Sequence, residues 1–225
     1  MYIQSSCDLL YALKKLNYLE AARDFLWWPN SGSFEVIAGA ILTQQTKWER
    51  VEESLYNLGR SNLLSPELLS SGNLEQIVSC IKPSGFYNTK AHRLQTISSN
   101  ILKDFGSFDN FQKNASREWL LGQKGIGMES ADSILCYGCK REIFVVDSYT
   151  TRLLGALGYK FDNYTQLQKW MQDGLKENLQ KAKELYPYNL ELYAIYARFH
   201  GKIVEYAKEY IRGKNVDIKP LQNLI

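Results

Sequence analysis

Leu121-Gly122-Gln123-Lys124-Gly125-Ile126-Gly127-Met128-Glu129-Ser130-Ala131 is the stretch that decides how this chain folds. A helical pattern leads into it through Ser116-Arg117-Glu118-Trp119-Leu120-Leu121, with Ser116 as N-cap. A second one leaves it through Glu129 to Tyr137, with Gly138 placed to stop it. The spacing therefore predicts two helices joined by a tight turn from about Gly122 to Met128. Gly125 and Gly127 lack a Cβ, so the backbone there can take positive φ and come close to another surface. Ile126 between them can plug the space between the helices. Backbone N–H groups left free at such a turn, beside a helix N-terminus, suit a phosphate oxygen above other ligands.

Outward from this turn, composition sets bounds. With 225 residues and 45% hydrophobic content the chain can bury a sizeable core, as one large domain or two small lobes. Lys+Arg 27 against Asp+Glu 24 leaves +3, so any nucleic-acid binding must use a local patch. No apolar run approaches the ~20 residues of a membrane span, and no basic region followed by an apolar segment opens the chain. A cytoplasmic protein with reduced cysteines is expected. Cys136-Tyr137-Gly138-Cys139 suggests a metal, but zinc needs two more ligands. The chain offers only His92 and His200, both far away in sequence, so no metal or other cofactor is expected.

Apolar spacing predicts helices over Cys7–Leu16 and on through Leu19–Trp28, before Pro29-Asn30-Ser31-Gly32-Ser33 breaks the pattern. Phe34–Gln45 reads as a buried helix with a polar end at Gln44-Gln45-Thr46. An amphipathic helix follows over Lys47–Leu58, closed by Gly59. Ser65-Pro66-Glu67 starts another, and Asn73–Ile81, Asn88–Phe105 and Phe108–Lys113 complete a run of short helices. Glu142–Val146 could pass for a strand but has no partner nearby, and reads as an extended connector that delivers Asp147. Helices over Asp147–Leu157, Thr165–Leu179 and Asn189–Ile211 follow, then a tail basic at Lys214 and Lys219. The pattern is all-α. Two lobes are expected: a six-helix bundle over residues 34–138, and a second lobe from residues 1–33 and 139–225.

Lys124-Gly125-Ile126-Gly127, Ser130-Ala131, and an aspartate after Val145-Val146 together resemble the helix-hairpin-helix plus Gly/Pro-Asp signature of the endonuclease III superfamily of DNA glycosylases. Trp27-Trp28-Pro29, Leu42-Thr43-Gln44-Gln45-Thr46-Lys47 and Pro83-Ser84-Gly85-Phe86-Tyr87-Asn88 are most similar to its bacterial 3-methyladenine glycosylase III type. The likeness implies a two-lobed helical fold and DNA backbone binding by Lys124, Gly125, Ile126 and Gly127. It also implies catalysis by Asp147 and insertion of Gln45 into the gap left by a flipped base. Strand-cutting members carry a lysine four residues after the first hairpin glycine, where this chain has Glu129. Without that amine no Schiff base forms there, which implies a monofunctional enzyme. The cysteines that hold an iron-sulfur cluster in some members are absent after Cys139.

A buried carboxylate close to the sugar can stabilise the positive charge that builds as a base departs. Asp147 also has a plain reading as a helix N-cap, and both can hold at once. A base in a duplex must be flipped into a pocket, and aromatic walls hold a cationic base such as 3-methyladenine. Trp27, Trp28, Pro29, Trp48, Glu129 and Lys208 are the candidates for that pocket. For each tryptophan core packing is the alternative. Glu129 also reads as a first-turn helix glutamate, and Lys208, like Lys202, as part of a solvated face. The implied partners are double-stranded DNA with alkylated bases and a downstream abasic-site endonuclease, the chain acting as a monomer in the bacterial cytoplasm, near the nucleoid. A glycosylase for an oxidised or mispaired base, a bifunctional glycosylase/lyase and a non-catalytic DNA-binding module are the alternatives.

Overall fold

The computed structural model describes residues 3–20, 24–213 and 215–224. It divides the chain into two compact units, Asn30–Cys139 and the pair of segments Met1–Pro29 and Lys140–Ile225. Among the described residues no helix is long and apolar enough to cross a membrane.

The chain enters through α1 (Ser6–Lys15), whose first turn is closed by reciprocal hydrogen bonds between Ser5 and Asp8. The helix expected over Leu19–Trp28 does not form. Residues 17–20 are turns, Leu19 (φ 64°) and Trp27 (φ 79°) sit in the left-handed region, and residues 21–23 of that expectation lie outside the described residues. Apolar spacing alone could not show the left-handed backbone at Leu19 and Trp27.

In the unit Asn30–Cys139, α2 (Glu35–Leu42) buries every residue from Val36 to Leu42. Its lack of a polar face follows from its central place, where each large apolar side chain contributes roughly 1.5–3 kcal/mol. Around it run α3 (Trp48–Arg60), α4 (Pro66–Ser71), α5 (Leu74–Ile81), α6 (Tyr87–Phe105), α7 (Phe108–Asn114), α8 (Arg117–Leu121) and α9 (Met128–Ser133). Ser65, Asn73, Ser107 and Ser116 accept the N-terminal N–H bonds of α4, α5, α7 and α8, so local side-chain chemistry sets where these short helices begin. A short 3₁₀ turn, Lys82–Ser84, links α5 to α6. Gly138 closes a buried π-turn, Ile134–Gly138, against Val36.

The other unit resumes with an extended segment whose polar backbone groups are met by side chains rather than a strand. Gln172 Oε1 accepts from Phe144 N, Gln168 Nε2 donates to Phe144 O, and Tyr164 Oη accepts from Val146 N. Glu142–Val146 is thus a connector, as expected. Then come α10 (Ser148–Ala156), α11 (Tyr164–Lys176), α12 (Leu179–Glu184) and the long α13 (Leu192–Tyr210). The expected helix Thr165–Leu179 ends early, because the chain turns at 177–178 before α12 begins. Beyond α13 the chain forms short elements: β1 (Ile211–Arg212) pairs antiparallel with β2 (Asn215–Val216), and α14 (Lys219–Gln222) follows. Lys214 lies outside the described residues. Phe144, Tyr196 and Phe199 pack edge to face at the centre of this unit.

Candidate active site

Asp147 is the N-cap of α10, and its two carboxylate oxygens have different surroundings. Oδ1 accepts from both the backbone N–H and the hydroxyl of Thr150, each at 2.7 Å. Oδ2 lies 3.5 Å from Nε2 of His200 on α13, and the Asp147 and His200 side chains are 11% and 4% exposed. Burial by itself pushes the carboxyl group towards its neutral form. His200 and the two Thr150 donors outweigh that and hold the carboxyl pKa below the usual aspartate range. The cap reading is therefore correct as geometry, and it leaves an ionised carboxylate with one oxygen anchored.

Trp27 lies against α13 in the same unit. Its ring meets His200 edge to face at 5.4 Å, and its Nε1–H donates to Glu205 Oε1 at 2.8 Å. This placement depends on Gly201, where a Cβ would stand 2.5 Å from Trp27 Cγ. Lys208 also binds Glu205, at 2.8 Å, and its ammonium stands 5.9 Å from the centroid of the Trp27 ring. Trp28 is buried, in edge contact with Trp27, and Pro29 is half-buried. Lys202, expected on a solvated face or in the pocket, is wholly buried and donates to the carbonyl of Tyr18. Burial, with Arg198 and Lys14 nearby, pushes its pKa down to about 7. It anchors the turn after α1.

In the unit Asn30–Cys139 the hairpin joins α8 to α9. Gly125 has φ 85° and Gly127 is the N-cap of α9, while the Ile126 side chain between them is buried. Arg117 on α8 grips the buried Asp132 of α9 through two bonds, at 2.7 and 3.0 Å, which fixes the two helices to each other. Lys124 and Glu129 are exposed, Glu129 in the first turn of α9. Trp48 opens α3 and is half-buried. The two glutamines after α2 diverge. Gln44 turns inward, donating to Gly125 O at 2.9 Å and Ser130 Oγ at 3.1 Å and accepting from Arg93 at 2.7 Å. Gln45 is exposed with φ 54°.

The fold thus brings Asp147, Trp27 and Lys208 together through His200 and Glu205. It sets Gln45 and the hairpin on one framework through Gln44 and Arg93. Sequence reasoning missed His200, Gly201, Glu205, Gln44 and Arg93 in these roles. The spacing of Gly201, Glu205 and Lys208 on one helical face was the one local signal available. Among the described residues no group of three His, Cys, Asp or Glu side chains is disposed to hold a metal ion.

Residues 38–177 match the family of HhH-GPD superfamily base excision DNA repair proteins. The chain is similar to the H. pylori 3-methyladenine DNA glycosylase, solved with 1,N6-ethenoadenine bound. Identity to it is 46%, covering 91% of this chain and 98% of that one, with a TM-score of 0.88. It is 37% identical to a protein of Methanocaldococcus jannaschii named as a DNA repair glycosylase by assignment, over 94% of this chain and 92% of that protein. Endonuclease III of Thermotoga maritima is 26% identical over 81% of this chain and 76% of its own length.

Proposed function

The chain belongs to the HhH-GPD superfamily of base excision DNA repair proteins as a DNA glycosylase, and we propose that it hydrolyses the N-glycosidic bond of alkylated purines, 3-methyladenine foremost. The observation that carries this reading is the divided carboxylate of Asp147. Oδ1 is tied to Thr150, and the group stays ionised despite its burial. A fixed negative charge in water-poor surroundings stabilises the cationic sugar that forms as the base leaves. A methylated purine is already positively charged and departs without help from a general acid, so one carboxylate suffices. Trp27, with its ring beside His200, supplies an aromatic surface of the kind that holds a cationic base. Similarity to a 3-methyladenine glycosylase along 98% of that protein's length supports the same substrate class.

The reaction we propose stops at base release. Strand cleavage through a Schiff base needs an accessible neutral amine. The two lysines whose pKa values are pushed down, Lys90 and Lys202, are buried and hydrogen-bonded to carbonyl oxygens. Lys208 is held by Glu205, and Glu129 stands at the family's lysine position. Phosphate contact falls to the hairpin, where the first N–H groups of α9 have no acceptor within their own helix.

The test is base release from methylated duplex DNA, resolving individual methylpurines, with wild type beside Asp147→Asn. Release of 3-methyladenine by wild type alone is expected. DNA binding without release by either protein would support a binding module instead. Borohydride trapping on DNA is expected to give no covalent adduct, and an adduct would overturn the monofunctional reading.

A further inference from the structure

Lys90, on α6, is an ordinary lysine by sequence but is 2% exposed, and it takes no part in the chemistry proposed above. Its ammonium donates three hydrogen bonds of 2.8 Å each, to Leu42 O, Thr46 Oγ1 and Ser84 O. An ammonium has three N–H donors, and all three are used. Leu42 and Thr46 flank the turn that carries Gln45. Ser84 immediately precedes the turn that carries Gly85 and Phe86. The Thr46 hydroxyl also donates to Ser84 O, which links the two turns a second time.

Both turns end in unusual residues. Gln45 (φ 54°) and Phe86 (φ 45°) are non-glycine residues in the left-handed region, and both are exposed, Phe86 at 68%. Such backbone is strained for a residue with a side chain and persists where the surroundings hold it. A large aromatic side chain kept so exposed gains nothing for the fold of its own unit. An amide tip and an aromatic tip, presented by two tethered turns, are chemistries suited to a disturbed base stack, the one by hydrogen bonding and the other by stacking.

We propose that Lys90 is a positioning residue that locks the Gln45 turn and the Phe86 turn into one two-pronged element, which holds the duplex open at the flipped nucleotide. This rests on the base-flipping reading above. Nothing in the proposal requires Lys90 to touch DNA. Loss of the ammonium would let the two tips move independently, so the duplex would still be bound but not held open.

The test uses the full chain and a duplex with 2-aminopurine next to an abasic-site analogue, whose fluorescence reports unstacking whatever lesion the enzyme prefers. At saturating protein, wild type is expected to raise the fluorescence, and Lys90→Met to lose most of that rise. Affinity for undamaged duplex should change less than about two-fold, since the hairpin contacts remain. Adding Gln45→Ala or Phe86→Ala to Lys90→Met should cause little further loss, as expected of groups that act as one unit. An undiminished signal from saturated Lys90→Met would overturn the proposal, as would losses that multiply independently across the three positions. If Lys90→Met fails to fold by circular dichroism, Thr46→Val takes its place. It removes one link between the turns and should give a smaller loss of the same kind, and an unchanged signal from it would also overturn the proposal. Release of 3-methyladenine is scored separately. A protein that unstacks the duplex in a Lys90-dependent way but releases no methylpurine defeats the substrate reading and upholds this one.

Discussion

Nε2 of His200 stands 3.5 Å from Oδ2 of Asp147, although His200 lies on α13 and Asp147 caps α10, and both side chains are largely shielded from water. Thr150 holds the other oxygen. The carboxylate is thereby oriented from both sides, and each side can be altered separately.

Replacing Asp147 by Asn keeps the cap, because the amide oxygen can accept from Thr150 as Oδ1 does. Folding should therefore survive while the charge is lost. Single-turnover release of methylpurine is expected to fall by about 10²–10³, the usual scale for losing one preorganised electrostatic group. The thermal midpoint and DNA affinity should stay near wild type. Equal loss of binding and chemistry would place Asp147 in the fold rather than the reaction.

His200→Leu tests the other side. In the wild type, burial of Asp147 is outweighed by His200 and Thr150, so the carboxyl stays ionised as the pH falls below neutrality. Without the imidazole, burial is opposed by Thr150 alone and the carboxyl pKa should rise. The acidic limb of the rate profile for base release should then move to higher pH, while the rate at alkaline pH changes less. A profile of unchanged shape would mean that His200 only fills space.

The two hairpin glycines should fail in different ways. An alanine at Gly125 would have to adopt φ 85°, with its Cβ 2.3 Å from Arg93 Nε, so Gly125→Ala should destabilise the fold by about 1–3 kcal/mol. At Gly127 a Cβ meets nothing within 4 Å, and the backbone there is ordinary extended chain. Gly127→Ala should therefore fold normally and yet bind duplex DNA more weakly whatever its sequence, because the methyl group occupies the space a phosphate needs. Thermal melts together with filter binding would separate the two effects. Normal DNA affinity in Gly127→Ala would remove the hairpin from the interface.

Lys202 makes stability depend on pH. Its pKa is about 7 in the folded chain against an ordinary 10.5, so below about pH 7 both states are protonated and the full penalty for burying the charge is present. As the pH rises from 7 towards 10.5 the folded state gives up its proton first, the unfolded chain binds more protons, and stability increases. Lys90, pushed down to about 8, acts in the same direction. Urea midpoints should therefore rise between about pH 7 and pH 9. Lys202→Met should flatten that slope, and an unchanged slope would assign the effect elsewhere.

What could be read from sequence is what neighbouring residues decide among themselves. Serine and asparagine caps start α4, α5, α7 and α8 where their side chains predict, and Gly125 takes the left-handed conformation its missing Cβ permits, whereas Gly127 is ordinary extended chain. Asp147 was legible as a cap and, through the spacing of the hairpin signature, as a candidate catalyst. Only the tertiary structure decided which of two adjacent glutamines turns inward. That choice depends on Gly125, Ser130 and Arg93, which are remote in sequence. The same holds for Lys90 and Lys202, two helical lysines whose side chains end on carbonyl oxygens of distant turns. His200 gave no local sign of its role, and Trp27, a pocket candidate from its Trp-Trp-Pro run, gave none of its contact with His200. Their contact requires a left-handed backbone at one site and the missing side chain of Gly201 at another, and packing across the unit supplies both at once. Local chemistry set where the elements begin and turn, and long-range packing set which polar groups face one another, because burial is a property of the assembled unit and not of any segment within it.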